Sequence, residues 1–245
     1  MTGGLAYHWR ALKYRGGIWA PFRAEVSRWL ESWQPQERSL LLVGPSAGHC
    51  LPGRDWFARF DRVDAVDPDR LARLWLPARL GRSIQWNSRD YLSPTQGEFR
   101  SAGARELLEL YPSHAILFCN LLGQLRFLDQ NAALGASFAN WKRQLGELLR
   151  DRAWASFHDR LSGDVGPRGV ASPESASDSA FLGQSDQELS ADELLTRFYP
   201  VHERAVLLDH LTGEFFPGRP RSYFSWQIRP GCFHLVEAIC GESQR

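Results

Sequence analysis

Apolar and polar positions change period repeatedly along this chain, and the changes mark its elements. The unbroken apolar run Leu40 to Val43 suits a strand buried on both faces, as in a parallel sheet covered by helices. Small residues follow from Gly44 to Gly48, and Val63 to Val66 then gives a second strand with Asp67 at its tip. Leu71, Leu74 and Trp75 fall on one helical face, and Pro77 is expected to help end that helix. Ser83 to Asn87 reads as a short third strand, Ala102 to Leu110 as a helix, and His114 to Cys119 as an apolar fourth strand closed by Asn120. Phe138, Trp141, Leu145, Leu148 and Leu149 form one stripe, which predicts a helix over residues 131–150. Trp154 to Phe157 is the fifth strand, with His158 and Asp159 at its end. Five strands with helices between them predict an α/β fold built on a doubly wound sheet in three α/β/α layers.

The pattern changes after the fifth strand. Residues 162–190 are rich in Ser, Gly, Asp and Pro and are expected to form a flexible insertion or a lid. Ser190 and Glu193 then have the spacing of a capping box, opening a helix that carries Leu194, Leu195 and Phe198. Ser222 to Arg229 and Cys232 to Cys240 are apolar strands separated only by Pro230-Gly231. So short a link makes them antiparallel, because a parallel pair needs a crossover of a dozen or more residues. Residues 1–36 form a helical cover, with Phe22, Val26, Trp29, Leu30 and Trp33 on one face, and residues 37–245 form the main domain.

Composition narrows the function. The 29 Lys+Arg against 28 Asp+Glu leave a net charge of +1, so no broad nucleic-acid face is required and a small-molecule partner is favoured. The four cysteines are widely spaced without a Cys-x-x-Cys pair or an accompanying histidine pattern, which argues for buried thiols and against a zinc site. No apolar run is long enough to span a bilayer and no signal-peptide core follows Met1, so a soluble cytoplasmic protein is expected; oligomeric state is open.

The chemistry concentrates at the first bend. Gly44 and Gly48 let the backbone turn tightly and approach a ligand, while Asp67 would lie beside that bend in a right-handed crossover and accept hydrogen bonds from ribose hydroxyls. A nucleoside-bearing cofactor follows. Gly44-Pro45-Ser46-Ala47-Gly48-His49 does not supply the Gly-x-Gly-x-x-Gly of a nicotinamide fingerprint. With its terminal hairpin, this stretch resembles the class I S-adenosylmethionine methyltransferases, whose pattern is an acid, any residue, then Gly-x-Gly-x-Gly. Gly44 and Gly48 match the first and third glycines, whereas Leu42 replaces the acid and Ser46 the middle glycine. The resemblance covers roughly residues 37–162 and 190–241. It implies a seven-stranded, mostly parallel sheet in the order 3-2-1-4-5-7-6 with an antiparallel terminal hairpin, and S-adenosylmethionine as cofactor.

Ligands of open α/β sheets lie outside the carboxyl ends of the strands. On the resemblance, Gly44, Pro45, Ser46 and Gly48 cradle the cofactor, Asp67 holds its ribose, Asp90 meets the adenine amino group and Asn120 meets the methionine moiety or substrate. Asp90 and Asn120 also suit a plain cap and turn. His158 beside Asp159 is the candidate general base for an acceptor that must lose a proton, and both also suit a strand-end role; His210 carries the same ambiguity. Tyr7, Trp9, Arg10 and Tyr14 are candidates to cover the substrate. The function expected is methyl transfer to a small-molecule acceptor; a methyltransferase-like binding or scaffold protein without catalysis, or an NAD-dependent oxidoreductase, are the alternatives.

Overall fold

The computed structural model describes residues 4–95, 98–128, 134–168, 180–199 and 206–242. Residues 131–133 of the expected long helix and 169–179 of the expected insertion lie outside this set. The helices α1 (Leu5–Tyr14) and α2 (Ala20–Ser32) precede β1 (Ser39–Val43). Then come α3 (Arg54–Phe57), β2 (Arg62–Val66), α4 (Ala72–Leu80), β3 (Gln85–Asn87), α5 (Ser101–Leu110), β4 (His114–Cys119) and α6 (Leu122–Leu125). The chain continues through α7 (Leu134–Leu148), β5 (Trp154–Gly163), β6 (Phe181–Ser185), α8 (Ala191–Phe198), β7 (Leu207–Asp209), β8 (Arg221–Arg229) and β9 (Cys232–Gly241).

The strands form one sheet in the order β3-β2-β1-β4-β5-β9-β8-β6, with β7 paired to the far end of β5. Strands β1 to β5 run parallel, and β9 runs antiparallel to both β5 and β8. This is the strand order expected of a class I methyltransferase, with the last hairpin inserting its second strand beside β5. Nine strands are present among the described residues instead of seven. The additions are β6, short and half polar within the expected insertion, and β7, three residues in a stretch to which the sequence assigns no element.

Burial explains the continuous apolar run of β1. Successive side chains of a strand point to opposite faces, and here Leu40 and Leu42 pack with Phe22, Val26 and Leu30 while Leu41 and Val43 pack with Leu107, Phe138 and Trp141. Both faces are therefore dry, and each buried leucine contributes roughly 1.5–3 kcal/mol. Leu42, at the position of the family's acid, is fully buried in the first of these layers. The N-terminal helices also reach the terminal hairpin. Phe22 stacks on Trp226 at a centroid distance of 4.7 Å, and Trp19 Nε1 donates to the Ile228 carbonyl over 3.0 Å.

Two boundaries depart from expectation. Pro77 lies inside α4, which ends only at Gly81, a residue with φ 66° whose N–H reaches the Pro77 carbonyl. The positive φ of Gly81 sets the stop. Strand β5 runs ten residues because β9 pairs along it from Trp154↔Gly241 to Gly163↔Phe233. His158 and Asp159 are thus inside a strand, not at its end. The capping box is as expected: Ser190 and Glu193 satisfy each other's backbone at the start of α8. Among the described residues no helix is long and apolar enough to cross a membrane. All four cysteines are free.

Candidate functional site

The bend after β1 is built from left-handed backbone. Gly44, Ser46 and Gly48 have φ of 66°, 48° and 68°. Ser46 tolerates this conformation because its backbone N–H donates to Asp67 Oδ2 over 2.7 Å, while Gly44 N–H donates to the Val66 carbonyl. The other carboxylate oxygen of Asp67 accepts the Asp69 N–H at 2.8 Å. Asp67 therefore faces the bend, as its position at the strand tip predicts, and is bonded to it. Burial raises its pKa to about 6 despite those two N–H donors. The glycines do different work. A Cβ on Gly44 would stand 3.0 Å from Leu121, and one on Gly48 would stand 2.5 Å from Leu76 Cδ1, so Gly48 serves the packing of α4 and does not face the cavity.

A cavity of about 260 Å³ opens beyond the bend, at the carboxyl ends of β1 and β4, where the strand order reverses. Gly44, Pro45, Ser46, Asn120, Asp159 and His210 line it together with His234. Several of their polar atoms, Ser46 Oγ and Asn120 Oδ1 among them, are buried without a hydrogen-bond partner among the described residues. Unpartnered buried groups are costly unless a ligand or water meets them. Asn120, with φ 52°, sends its Nδ2 to Asp159 Oδ2 at 3.4 Å. A second, narrower slot lies between Asp67, Pro68, Asp90 and Leu121 and holds about 30 Å³, room for a water or two. Asp90 at its rim is exposed and accepts the N–H groups of Leu92 and Ser93, the arrangement of a turn cap.

Helix α1 roofs the cavity in part. Tyr7 and Arg10 line it, three residues apart on one helical face, whereas Trp9 points to solvent at 71% exposure and Tyr14 packs against the core away from it. The helix is anchored by two groups beyond those expected. His8 Nε2 lies 2.8 Å from Asp69 Oδ2, and His8 Nδ1 lies 3.3 Å from His49 Nε2. Burial acts to raise the Asp69 pKa, but the N–H of Gly4 and the His8 ring outweigh it and hold it below the usual carboxylate value. His49 is pushed down to about 3, by burial first and by the nearby Arg79 second.

The expected pairing of His158 with Asp159 does not occur. Adjacent residues of a strand face opposite ways, and His158 turns from the cavity to Ser156 Oγ at 2.9 Å, with its Nε2 3.6 Å from Glu237. Asp159 faces the cavity and pairs with His234, whose Nδ1 is 3.0 Å from Asp159 Oδ1. Burial opposes charge on His234, yet Asp159 raises it to about 10; His210 is lowered by burial. The histidines of the cavity are His210 and His234. His234 carries no local sequence signal, because its position depends on the β5–β9 register.

Neither a protein-family model nor a curated protein matches this sequence. Among solved structures, the chain is similar to the N-methyltransferase NodS from Bradyrhizobium japonicum WM9 in complex with S-adenosyl-L-homocysteine, at 12% identity and TM-score 0.42, covering 96% of each chain. It is similar to DhpI, likewise solved with S-adenosylhomocysteine, at 14% identity and TM-score 0.40, covering 98% of this chain and 95% of that one. A third is the sugar N-methyltransferase KedS8 from Streptoalloteichus sp., at 16% identity and TM-score 0.37, covering 98% and 73%.

Proposed function

We propose that this chain transfers a methyl group from S-adenosylmethionine to a small-molecule acceptor. The observation that carries this is the joined bend and aspartate, Ser46 to Asp67, set beside a polar cavity where the strand order reverses. S-adenosylmethionine brings a methyl group already activated on a sulfonium, so the chain has to align and enclose the reactants. Each Asp67 oxygen has a further lone pair with which to meet a ribose hydroxyl. Ser46 Oγ and Asn120 Oδ1, buried and unpartnered, suit the polar amino-acid end, in place of the acid that Leu42 does not provide. The acceptor is assigned to the wall of Asp159, His210 and His234, under Tyr7 and Arg10, which help exclude water. His158 does not reach that wall and has no part in this scheme.

A second reading, a methyltransferase-like binding or scaffold protein without catalysis, is favoured by Leu42 in place of the family's acid and by a slot at Asp67 and Asp90 that holds only a water or two. Calorimetry with S-adenosylmethionine, S-adenosylhomocysteine and NAD tests both. Binding of the first two, abolished by Asp67→Ala, is expected. Transfer of labelled methyl groups to a component of a small-molecule extract supports catalysis, and binding without transfer, or no binding of either compound, supports the second reading. NAD binding alone overturns both.

A further inference from the structure

We propose that Asp159, His210 and His234 form a binding site for a divalent first-row transition-metal cation in the wall of the central cavity. One ligand atom from each lies within 4.8 Å of the other two. The three come from β5, from the residue after β7 and from β9, so no spacing motif in the sequence marks them.

The contact between Asp159 Oδ1 and His234 Nδ1 is informative. The atoms are 3.0 Å apart, the contact of an ion pair while His234 keeps its proton, with no further hydrogen-bond partner for either atom among the described residues, so a cation that displaces that proton finds two ligand atoms already side by side. Neighbouring ligands of one ion meet in this way, since atoms held about 2.0–2.1 Å from a metal stand roughly 3 Å from each other. His210 adds the usual support of a ligand histidine. Its Nδ1 donates to the Gly123 carbonyl at 2.7 Å, which fixes the tautomer and leaves the lone pair on Nε2. That nitrogen now meets the Ser162 hydroxyl at 2.9 Å, a group free to rotate aside. Asn120 Nδ2 steadies the other Asp159 oxygen.

Two imidazoles and one carboxylate suit zinc, iron or cobalt better than magnesium or calcium, which favour oxygen alone. Three protein ligands leave positions open toward the cavity. A cation there binds an oxygen or nitrogen of a small molecule and lowers its pKa. The cation site stands on its own geometry; only the identification of that small molecule as a methyl acceptor rests on the function proposed above.

The test is a titration of the chelator-treated full chain with Co²⁺, followed by visible absorption and calorimetry without any methyl donor. One equivalent of Co²⁺, displaced by Zn²⁺ and not by Mg²⁺, is the expected result. His210→Gln and His234→Asn should each weaken uptake by more than the roughly 10–100-fold that loss of an outer-shell partner costs. His158→Asn, outside the cavity, and Ser162→Ala should retain it. Absence of stoichiometric Co²⁺ uptake by the folded wild-type chain, which needs no variant, overturns the proposal, as does uptake unchanged in both ligand variants. Binding of S-adenosylmethionine is measured separately, so failure of the cation site and failure of the methyl-donor reading are distinguishable.

Discussion

Ser46 and Asp67 are joined by a 2.7 Å hydrogen bond from the backbone N–H of the first to the carboxylate of the second. The bend after β1 and the tip of β2 thereby hold each other, so on the proposed function a ribose hydroxyl would meet an acceptor already fixed in place. Preorganisation of this kind lowers the ordering cost of binding.

The same carboxylate sets a pH dependence of stability. Burial raises Asp67 to about 6 from 3.8, so between these values the folded chain keeps a proton that the unfolded chain has lost. Its contribution is present below pH 4 and is lost as pH rises through 6, a change on the order of 3 kcal/mol. Urea unfolding should show Asp67→Asn gaining stability relative to the wild type as pH rises from 4.5 to 7.5.

His49 acts in the opposite sense. Burial and Arg79 lower it to about 3, so the folded chain excludes a proton that the unfolded chain binds below about 6.5. Its contribution is present above pH 6.5 and fades as pH falls toward 3. His49→Gln, which keeps a polar partner for His8, should raise the melting temperature at pH 4.5 relative to the wild type by more than at pH 7.5.

Gly48→Ala should destabilise the fold by about 2–4 kcal/mol, combining a left-handed backbone with overpacking. The new methyl group would stand 2.5 Å from Leu76, which is fully buried and cannot withdraw. Gly44→Ala meets Leu121 Cβ at 3.0 Å, a shallower overlap, and should cost less. Thermal denaturation of the two variants orders the effects.

Glu237 is buried between strands with Arg221 Nε at 3.2 Å, Arg160 Nε at 3.8 Å and His158 Nε2 at 3.6 Å. Glu237→Ala leaves the wholly buried Arg221 without its nearest carboxylate and should cost about 3–5 kcal/mol in urea unfolding.

The parallel half of the sheet was legible because Leu40–Val43 and His114–Cys119 are apolar at every or nearly every position, and only a strand covered on both faces needs that. The bend and Asp67 were legible because glycine and a strand-tip acid act locally. The partners of Asp159 were not. Which face His158 takes, and which histidine meets Asp159, follow from β5 extending to Gly163 against β9, a pairing of residues 70 to 87 positions apart. The anchoring of α1 through His8 and Asp69 is likewise a contact across 61 positions with no local pattern.

Phe22 on Trp226 and Trp19 on the Ile228 carbonyl tie the first helices to the penultimate strand. During synthesis the apolar faces of α1 and α2 emerge some 200 residues before their hairpin partner and stay without that cover until it leaves the ribosome. Closure across so long a separation is slow. Nascent chains stalled before residue 221 should therefore be the form most dependent on chaperones.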